Sequence, residues 1–336
     1  MKPAKPLITD GVVEWLLEPD APSVRYFALV DLLGRRRTDP QVCQARRAIM
    51  DVGVVPKVLA RQQDGTYWEG RENFYVGEKY KGTVWTLIIL AELAADGNDP
   101  RIRNACEYIL EWSQDRLSGG FAYQGSAETG GGHDHVVPCL TGNMVWALAR
   151  FGYLNDPRWK QGGEWIAKYQ RFDDGVSQAP RGWPFNTRKS CWGRHTCHMG
   201  VVKALKALAE IPANRRTRPV KQTIAQGVEY LLSHHIHKRS HDLSQVSRRQ
   251  WLKLGFPWLW DSDILEILEI LTRLGCRDER MAEASELVAA KRCPDGRWFL
   301  EDDYRGRVQI DIEKKGKPSK WVTLNALRVL KRLGAS

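Results

Sequence analysis

The stretch VLKRLG, at residues 329–334, has two close variants earlier in the chain: ALARFG at residues 147–152 and ILTRLG at residues 270–275. Each stretch ends on a glycine after apolar residues at helical spacing, which is the pattern of a helix and its C-terminal cap. Recurrence of one helix ending along a chain indicates internal repeats. These three endings therefore predict a fold built from a repeated helical unit.

Two types of predicted helix alternate along the chain. The first type is apolar on nearly all sides, which favours an inner ring, and it covers residues 23–34, 82–97, 140–152, 197–211, 261–275 and 318–334. The second type is amphipathic, which favours an outer ring, and mostly carries an acid before a large apolar residue. Its members contain Glu14-Trp15, Glu107-Tyr108, Glu164-Trp165, Glu229-Tyr230 and Glu286-Leu287, and residues 46–60 form the sixth.

Turns that contain glycine and an aromatic residue separate the helical pairs. Asp-Gly and Gly-Gly pairs allow a positive φ, and we expect the following aromatic ring to fold back on the helices. The turns contain Gly65 with Trp68, Gly119 with Phe121, Gly175 with Trp183, and Gly296 with Trp298. These turns, together with the inner and outer helices, resemble the repeat of squalene cyclases and protein prenyltransferases. The resemblance implies an all-α fold, an α6/α6 toroid of six inner and six outer helices, and we predict one domain over residues 1–336 without a linker.

Composition limits where the chain acts. No run of about 18 apolar residues is present, so no membrane span is predicted, although peripheral association stays open. The first residues are not followed by a hydrophobic segment, so no secretory signal is expected. Seven cysteines form an odd set without framework spacing, which favours free or metal-bound thiols and a cytoplasmic location.

The chain is basic, with 51 lysines and arginines against 40 acids and a net charge of +11. Two interpretations compete: a solvated basic surface, or a site for an anionic ligand. The basic residues are scattered and no module of interleaved aromatic and basic residues is found, so nucleic acid is not expected as a partner.

Two Cys-x-x-Gly motifs begin successive inner helices. Cys139 opens one, and Cys197, followed by His198, opens the next; Cys191 could replace Cys139 or be a fourth ligand. Zinc prefers thiolate and imidazole ligands, and a helix N-terminus favours a thiolate. The pattern resembles that of lanthionine cyclases, which implies a zinc site at Cys139, Cys197 and His198, although Met199 departs from their Cys-His-Gly. The alternative is that these cysteines are small buried apolar residues.

A second motif, Asp261-Ser262-Asp263-Ile264, begins the fifth inner helix. It resembles the Asp-x-Asp-Asp of class II terpene cyclases, whose middle aspartate donates the initiating proton, which implies that role for Asp263. Ile264 stands where the third acid is expected. The alternative for Asp261 and Asp263 is helix N-capping. His241 with Asp242 could be a base with its orienting acid, or part of a solvated loop.

Further candidates concern substrate binding. Aromatic residues on or next to inner helices could line an apolar pocket, and lysines at the starts of inner helices could bind an anion; core packing is the default for the aromatic residues. The aromatic candidates are Trp85, Trp146, Trp258 and Trp321, and the lysines are Lys79 and Lys320.

Three functional hypotheses follow. The first is a zinc-dependent enzyme of the transferase or lyase type, acting on an apolar or anionic small molecule where the inner helices begin. The second is an isoprenoid cyclase that uses Asp263 as its proton donor. The third is a non-catalytic α/α scaffold whose basic rim binds an acidic partner.

Overall fold

The computed structural model describes residues 7–75, 80–175 and 180–334, and helices dominate it. The helices are α1 Asp10–Leu16, α2 Pro22–Phe27, α3 Pro40–Ala48, α4 Val54–Leu59, α5 Thr83–Glu92, α6 Pro100–Trp112, α7 Pro138–Arg150, α8 Pro157–Tyr169, α9 Lys189–Trp192, α10 His198–Leu208, α11 Arg218–Ser233, α12 Ile264–Arg273, α13 Ala282–Ala290 and α14 Lys320–Arg332. A π-helical turn, Ala28–Leu32, continues α2. Two short antiparallel hairpins pair β1 Gly125–Ser126 with β2 Gly130–Gly131 and β3 Lys238–Arg239 with β4 Asp242–Val246. The all-α prediction is confirmed.

The six apolar helices follow one another around a ring. Helix α5 contacts α7, α7 contacts α10, α10 contacts α12, α12 contacts α14, and α14 contacts α2. Their residues are almost entirely buried, as their apolar sequences require. These helices are called the inner helices below.

The outer helices mostly lie where the acid–apolar pairs predicted them. The prediction of one helix over residues 46–60 is wrong, because the chain forms two short helices, α3 and α4, with a break between them. Gly53, which precedes α4, has a φ of 85°, a left-handed conformation that a continuous α-helix does not allow.

Two of the predicted turns, at opposite ends of the chain, use the same hydrogen bonds. The amide of Trp68 donates to the hydroxyl of Thr83, and its indole N–H donates to a carbonyl of α4. Trp298 donates in the same way to Thr323 and to a carbonyl of α13. Each tryptophan thus ties an outer helix to the next inner helix. Trp183 differs: it stacks on the ring of His133 with centroids 4.0 Å apart.

The first and last parts of the chain meet and close the ring. The ammonium of Lys320 lies 2.7 Å from a carboxylate oxygen of Glu18 and 2.6 Å from one of Asp20. Arg328 pairs with Asp31 farther along α14. The apolar core is one contiguous cluster of buried side chains. Within the described ranges, no helix combines the length and the apolar character needed to cross a membrane.

Candidate active site

A cavity of about 230 Å³ lies inside the ring, and all six inner helices contribute to its wall. Its aromatic residues are Tyr26, Phe27, Trp146, Trp258 and Trp321. Most of the other lining residues lie on the C-terminal halves of the inner helices, such as Glu92 at the end of α5 and Arg150 at the end of α7. The sequence placed the site at the N-terminal mouth of the ring, so the position of this cavity differs from that expectation.

Buried ion pairs lie between the inner helices, and two of their members, Lys206 and Glu92, line this cavity. The ammonium of Lys203 lies 2.8 and 2.7 Å from the two carboxylate oxygens of Glu266, and neither side chain is exposed. Lys206 binds the same carboxylate at 2.9 Å and Glu92 at 2.5 Å, and its ammonium lies 4.1 Å from the ring centre of Trp146. Burial alone would raise the pKa of Glu266, but the two lysines outweigh it and hold the pKa below its ordinary value.

A second group of ions lies toward the C-terminal ends of the inner helices. Glu210 lies 2.8 Å from Arg273 and 3.9 Å from Arg150, while Arg332 lies 3.4 Å from Glu269. The sequence analysis missed these charges. The signal was available, because charged residues such as Lys203 and Glu266 stand within helices that are otherwise apolar on nearly all sides.

The predicted substrate-binding residues separate into several places. Trp146, Trp258 and Trp321 line the cavity, whereas Trp85 packs against the rings of Tyr75 and Tyr80. Lys320 is engaged in the ion pairs that close the ring and faces a different cleft. Lys79 lies outside the described residues.

Asp263 is the N-cap of α12 and is only 5% exposed. Its Oδ1 accepts the backbone N–H of Glu266 at 2.8 Å. Its Oδ2 accepts the backbone N–H of Gly255 at 2.7 Å and the indole N–H of Trp258 at 3.4 Å. The side chain borders a small pocket of about 30 Å³, and Trp258 lines both this pocket and the central cavity.

Burial raises the pKa of Asp263 to about 7, although the amides of Glu266 and Gly255 oppose the shift. Asp263 belongs to no ion pair among the described residues. Of the two aspartates for which capping was the alternative, Asp263 is the N-cap, whereas the carboxylate of Asp261 accepts the adjacent amide of Ser262 at 3.0 Å. A carboxyl with a pKa near neutrality is able to hold a proton and to release it.

The three predicted thiol ligands, Cys139, Cys191 and Cys197, lie close enough to affect one another's pKa. Burial raises the pKa of Cys139 well above its ordinary value, and the neighbouring thiols Cys197 and Cys191 add to the shift. Burial also raises the pKa of Cys191, to about 11, and that of Cys197, where the amides of Gly200 and Met199 act in the opposite direction. These thiols are therefore neutral at pH 7 unless a metal ion displaces their protons.

His198 lies in a different environment from the thiols. Its ring stacks on Trp251, with centroids 4.3 Å apart, and lies 5.7 Å from the ring of His234. Burial lowers the pKa of His198 to about 3, so the ring is neutral. The predicted set of Cys139, Cys191, Cys197 and His198 is not among the groups of described residues whose ligand atoms all lie within 4.8 Å of one another. Zinc binding at these residues stays a prediction.

A compact group of this kind is formed instead by Asp174, His195 and His241. The expected partner of His241 was Asp242, but Asp242 accepts hydrogen bonds from the amide and hydroxyl of Ser244. His241 instead lies 3.5 Å from Asp174, which belongs to a repeat turn far away in sequence. The sequence analysis did not select Asp174, because nothing local distinguishes it from the other turn aspartates.

No protein-family model matches this sequence, and no curated protein matches it. Among solved structures, a variant of the type II terpene cyclase MstE from Scytonema, bound to its substrate geranylgeranyl dihydroxybenzoate, is 16% identical. The superposition covers 94% of this chain and 87% of the MstE chain, with a TM-score of 0.40. Another MstE variant, bound to its product merosterolic acid A, is 13% identical over 97% of this chain and 99% of that chain, with a TM-score of 0.42. Similarity at this level does not extend an activity or a residue role to this chain.

Proposed function

We propose that this chain is an enzyme of the terpenoid-cyclase type, in which Asp263 starts the reaction by protonating an isoprenoid-like substrate. The observation that carries the proposal is the state of the Asp263 carboxyl. It is buried, its pKa is raised to about 7, and it has no cationic partner among the described residues. Burial without a counter-charge favours the neutral acid, which is the form that a proton donor requires.

The hydrogen bonds indicate which oxygen carries the proton. Oδ2 already accepts two N–H groups, from Gly255 and Trp258. Oδ1 accepts one N–H, from Glu266, so it has a free lone pair that can bear the proton. The three donors would also stabilise the carboxylate that remains after the proton has left.

In the proposed step, the π electrons of a substrate double bond form a new C–H bond with this proton. The O–H bond of Asp263 breaks, its electron pair stays on the carboxylate, and a carbocation is left on the substrate. Ring closure and loss of a proton from carbon then give a product isomeric with the substrate, and solvent reprotonates Asp263. Aromatic faces stabilise cations. Trp258 lines both the small pocket at Asp263 and the central cavity, while the stacked rings of Phe256 and Trp321 line the small pocket and the cavity respectively.

The wall of the cavity suggests that the substrate also carries a polar group. Aromatic rings lie near Asp263, whereas Arg150, Arg273 and Arg332 line the C-terminal side. Arg150 and Arg273 pair with Glu210, and Arg332 pairs with Glu269, but the cavity is lined by six cationic side chains against four carboxylates. A hydrocarbon alone would leave this excess of positive charge facing an apolar ligand, which is unfavourable. An isoprenoid chain joined to an anionic head is therefore the substrate class that suits both ends.

The experiment incubates the purified full chain in D₂O with three probes: squalene, geranylgeranyl diphosphate and geranylgeranyl dihydroxybenzoate. The proposal expects a cyclised product from one of the probes that contain an anionic group, with solvent deuterium on carbon. Asp263→Asn keeps the capping oxygen but cannot donate the proton, so the rate should fall by about 10²–10⁴-fold.

The matched control is Asp156→Asn, which changes the N-cap aspartate of the outer helix α8. This variant should keep the full rate. Product formation that is unaffected by Asp263→Asn, or a product without deuterium on carbon, would contradict the proposal.

A further inference from the structure

An apolar groove of about 820 Å³ lies between the outer helix α8 and residues 211–220, which lead from α10 into α11. Trp159 and Ala167 line it on the side of α8, and Ile211 and Val220 line it on the other side. Among the described residues, it shares no lining residue with the central cavity or with the small pocket of the proposed proton donor. This groove, called the outer groove below, is therefore separate from the proposed catalytic site.

Gly163 gives the outer groove part of its depth. This glycine lies inside α8, where it costs about 1 kcal/mol of helix stability relative to alanine. The preceding Gly162 has a packing reason, because a Cβ there would lie 2.7 Å from the side chain of Val145. A Cβ on Gly163 would have no heavy atom of the described residues within 4 Å, apart from its own helical backbone. The packing of α8 therefore does not require this glycine, and its missing side chain leaves space for an apolar group of another molecule.

Positive charge lines the α8 side of the groove. Lys160 and Lys168 are both exposed and lie about 12 Å apart along the helix axis. Neither lysine forms an ion pair within the described ranges, whereas Arg158, on the same helix but outside the groove, pairs with two carboxylates. Glu164 also lines the groove but pairs with neither lysine, so the net charge of this side is positive.

The opposite side of the groove is also positive. Arg215 lines it, and a guanidinium nitrogen of this residue lies 2.7 Å from the side-chain oxygen of Asn155, which is a neutral partner. Arg218 and Lys221 are exposed, stand next to lining residues in sequence, and form no ion pair in the part of the chain that the structure describes. No acid occurs in the sequence from Ile211 to Lys221. An apolar floor thus lies between two positively charged edges.

The two charged edges distinguish between candidate occupants. A lipid with a single anionic head requires cations at one end of its groove, and the flat surface of a bilayer does not fill a concave site. An amphipathic helix has an apolar stripe with polar residues on both of its edges, which matches this arrangement. The α8 side runs from Trp159 to Lys168, about 14 Å, which is long enough for apolar residues at positions i, i+4 and i+7 of a docked helix.

We propose that the outer groove binds an amphipathic helix of another protein, whose apolar stripe faces Gly163 and whose acidic residues lie along both edges. Acids on one edge pair with Lys160 and Lys168, and acids on the other edge pair with Arg215. Docking covers the apolar lining of the groove and supplies the counter-charge that this surface lacks. The proposal does not depend on the acid chemistry of Asp263.

The test measures, by fluorescence anisotropy, the binding of two labelled synthetic peptides to the untagged full chain. Both peptides place leucines at positions i, i+4 and i+7 of a helix. One peptide carries glutamates along both edges of this stripe, and the other carries lysines at the same positions. The glutamate peptide should bind at least about tenfold more tightly than the lysine peptide. Added salt should weaken its binding, because the charged edges of the groove are exposed.

Gly163→Leu places a side chain in the groove, so it should weaken binding of the glutamate peptide by at least about tenfold. The variant should fold, and its melting temperature should not fall, because leucine is a better helix former than glycine. The matched control is Gly11→Leu, which makes the same change in α1, where a Cβ also has open space. This control should bind the peptide like the wild type. Asp263→Asn should do so as well, which separates this proposal from the proposed function.

A wild type that binds neither peptide at about 100 µM, or that binds both equally well, would overturn the proposal. A folded Gly163→Leu variant with the wild-type affinity for the glutamate peptide would overturn it too. Vesicles that contain phosphatidylglycerol and a second copy of this chain are the alternative occupants. Vesicle binding or dimerisation that is lost in Gly163→Leu, without binding of the glutamate peptide, would assign the groove to a lipid or to a second copy instead.

Discussion

Two regions of α12 hold buried carboxylates one turn apart, and the carboxylates behave in opposite ways. At the N-terminal end of α12, Asp263 is 5% exposed, and its carboxyl accepts the N–H groups of Glu266, Gly255 and Trp258. In the first turn of α12, Glu266 is fully buried and binds the ammonium groups of Lys203 and Lys206. The pKa of Asp263 rises to about 7, whereas that of Glu266 falls.

The difference lies in the supply of counter-charge and not in burial. Both carboxyls are desolvated, and for both of them burial alone raises the pKa. Lysine partners make Glu266 a permanent anion that holds inner helices together. Their absence around Asp263, within the described part of the chain, leaves an acid that titrates near neutrality. Asp263 is thus suited to proton transfer, and Glu266 to holding the inner helices together.

The largest effect on stability is expected at Glu266. Glu266→Gln leaves two buried ammonium groups without their shared anion, so the free energy of unfolding should fall by about 3–5 kcal/mol. Urea denaturation followed by circular dichroism measures it. Glu229→Gln, which removes an exposed partner of Arg280, is the control and should cost under about 1 kcal/mol. A loss of similar size in both variants would contradict a structural role for the buried ion pairs of Glu266.

A smaller effect on the free energy of unfolding is expected at Asp263, and it depends on pH. The folded-state pKa of Asp263, about 7, lies above that of the unfolded chain, so the folded state binds the extra proton between these values. The stabilisation from this proton is complete below about pH 4 and is lost as the pH rises to about 7. Asp263→Asn lacks this titration, so its stability relative to the wild type should rise by up to about 4 kcal/mol over that range.

Denaturation curves of both proteins at several pH values between about 4 and 8 check this prediction. At low pH the other carboxyls also titrate and change the stability of both proteins, so the test uses only the difference in the free energy of unfolding between the wild type and Asp263→Asn. A constant difference across the range would mean that Asp263 has an ordinary pKa.

The smallest effect is expected at Asp174, with the opposite sign. Burial would raise the pKa of Asp174, but Ser240, His195 and the charges of the other imidazoles outweigh it and hold the pKa below its ordinary value. Its stabilisation is therefore present above the unfolded-state pKa and is lost as the pH falls. Asp174→Asn should be less stable than the wild type at pH 7 by under about 1 kcal/mol, with the difference vanishing in acid.

The same denaturation series tests this difference. If Asp174→Asn became more stable relative to the wild type as the pH rises, as expected for Asp263→Asn, the contrast between an anionic and a neutral aspartate would be wrong.

The inner helices could be predicted from the sequence because local rules determine them. Apolar residues at helical spacing, ended by a glycine, located α7, α12 and α14. The break between α3 and α4 was missed, although Gly53 marks it, because residues 46–60 have an apolar pattern that continues across that glycine.

The site was harder to predict because it depends on contacts between distant residues. Lys203 and Glu266 belong to different inner helices, and Asp174 joins His234 and His241 only after the ring has formed. The motif at Asp263 was visible, but its acidity depends on burial and on the missing counter-charge, which only the folded structure reveals.

The most direct test of the account is a pH titration of the Asp263 carboxyl itself. Carbon-13 NMR of the full chain, with labelled aspartate side chains, follows each carboxyl, and the resonance that is missing from Asp263→Asn identifies this one. The account predicts a midpoint at about pH 7. A midpoint near about 4, the value of an ordinary aspartate, would show that Asp263 is a carboxylate at neutral pH and would contradict its role as the proton donor.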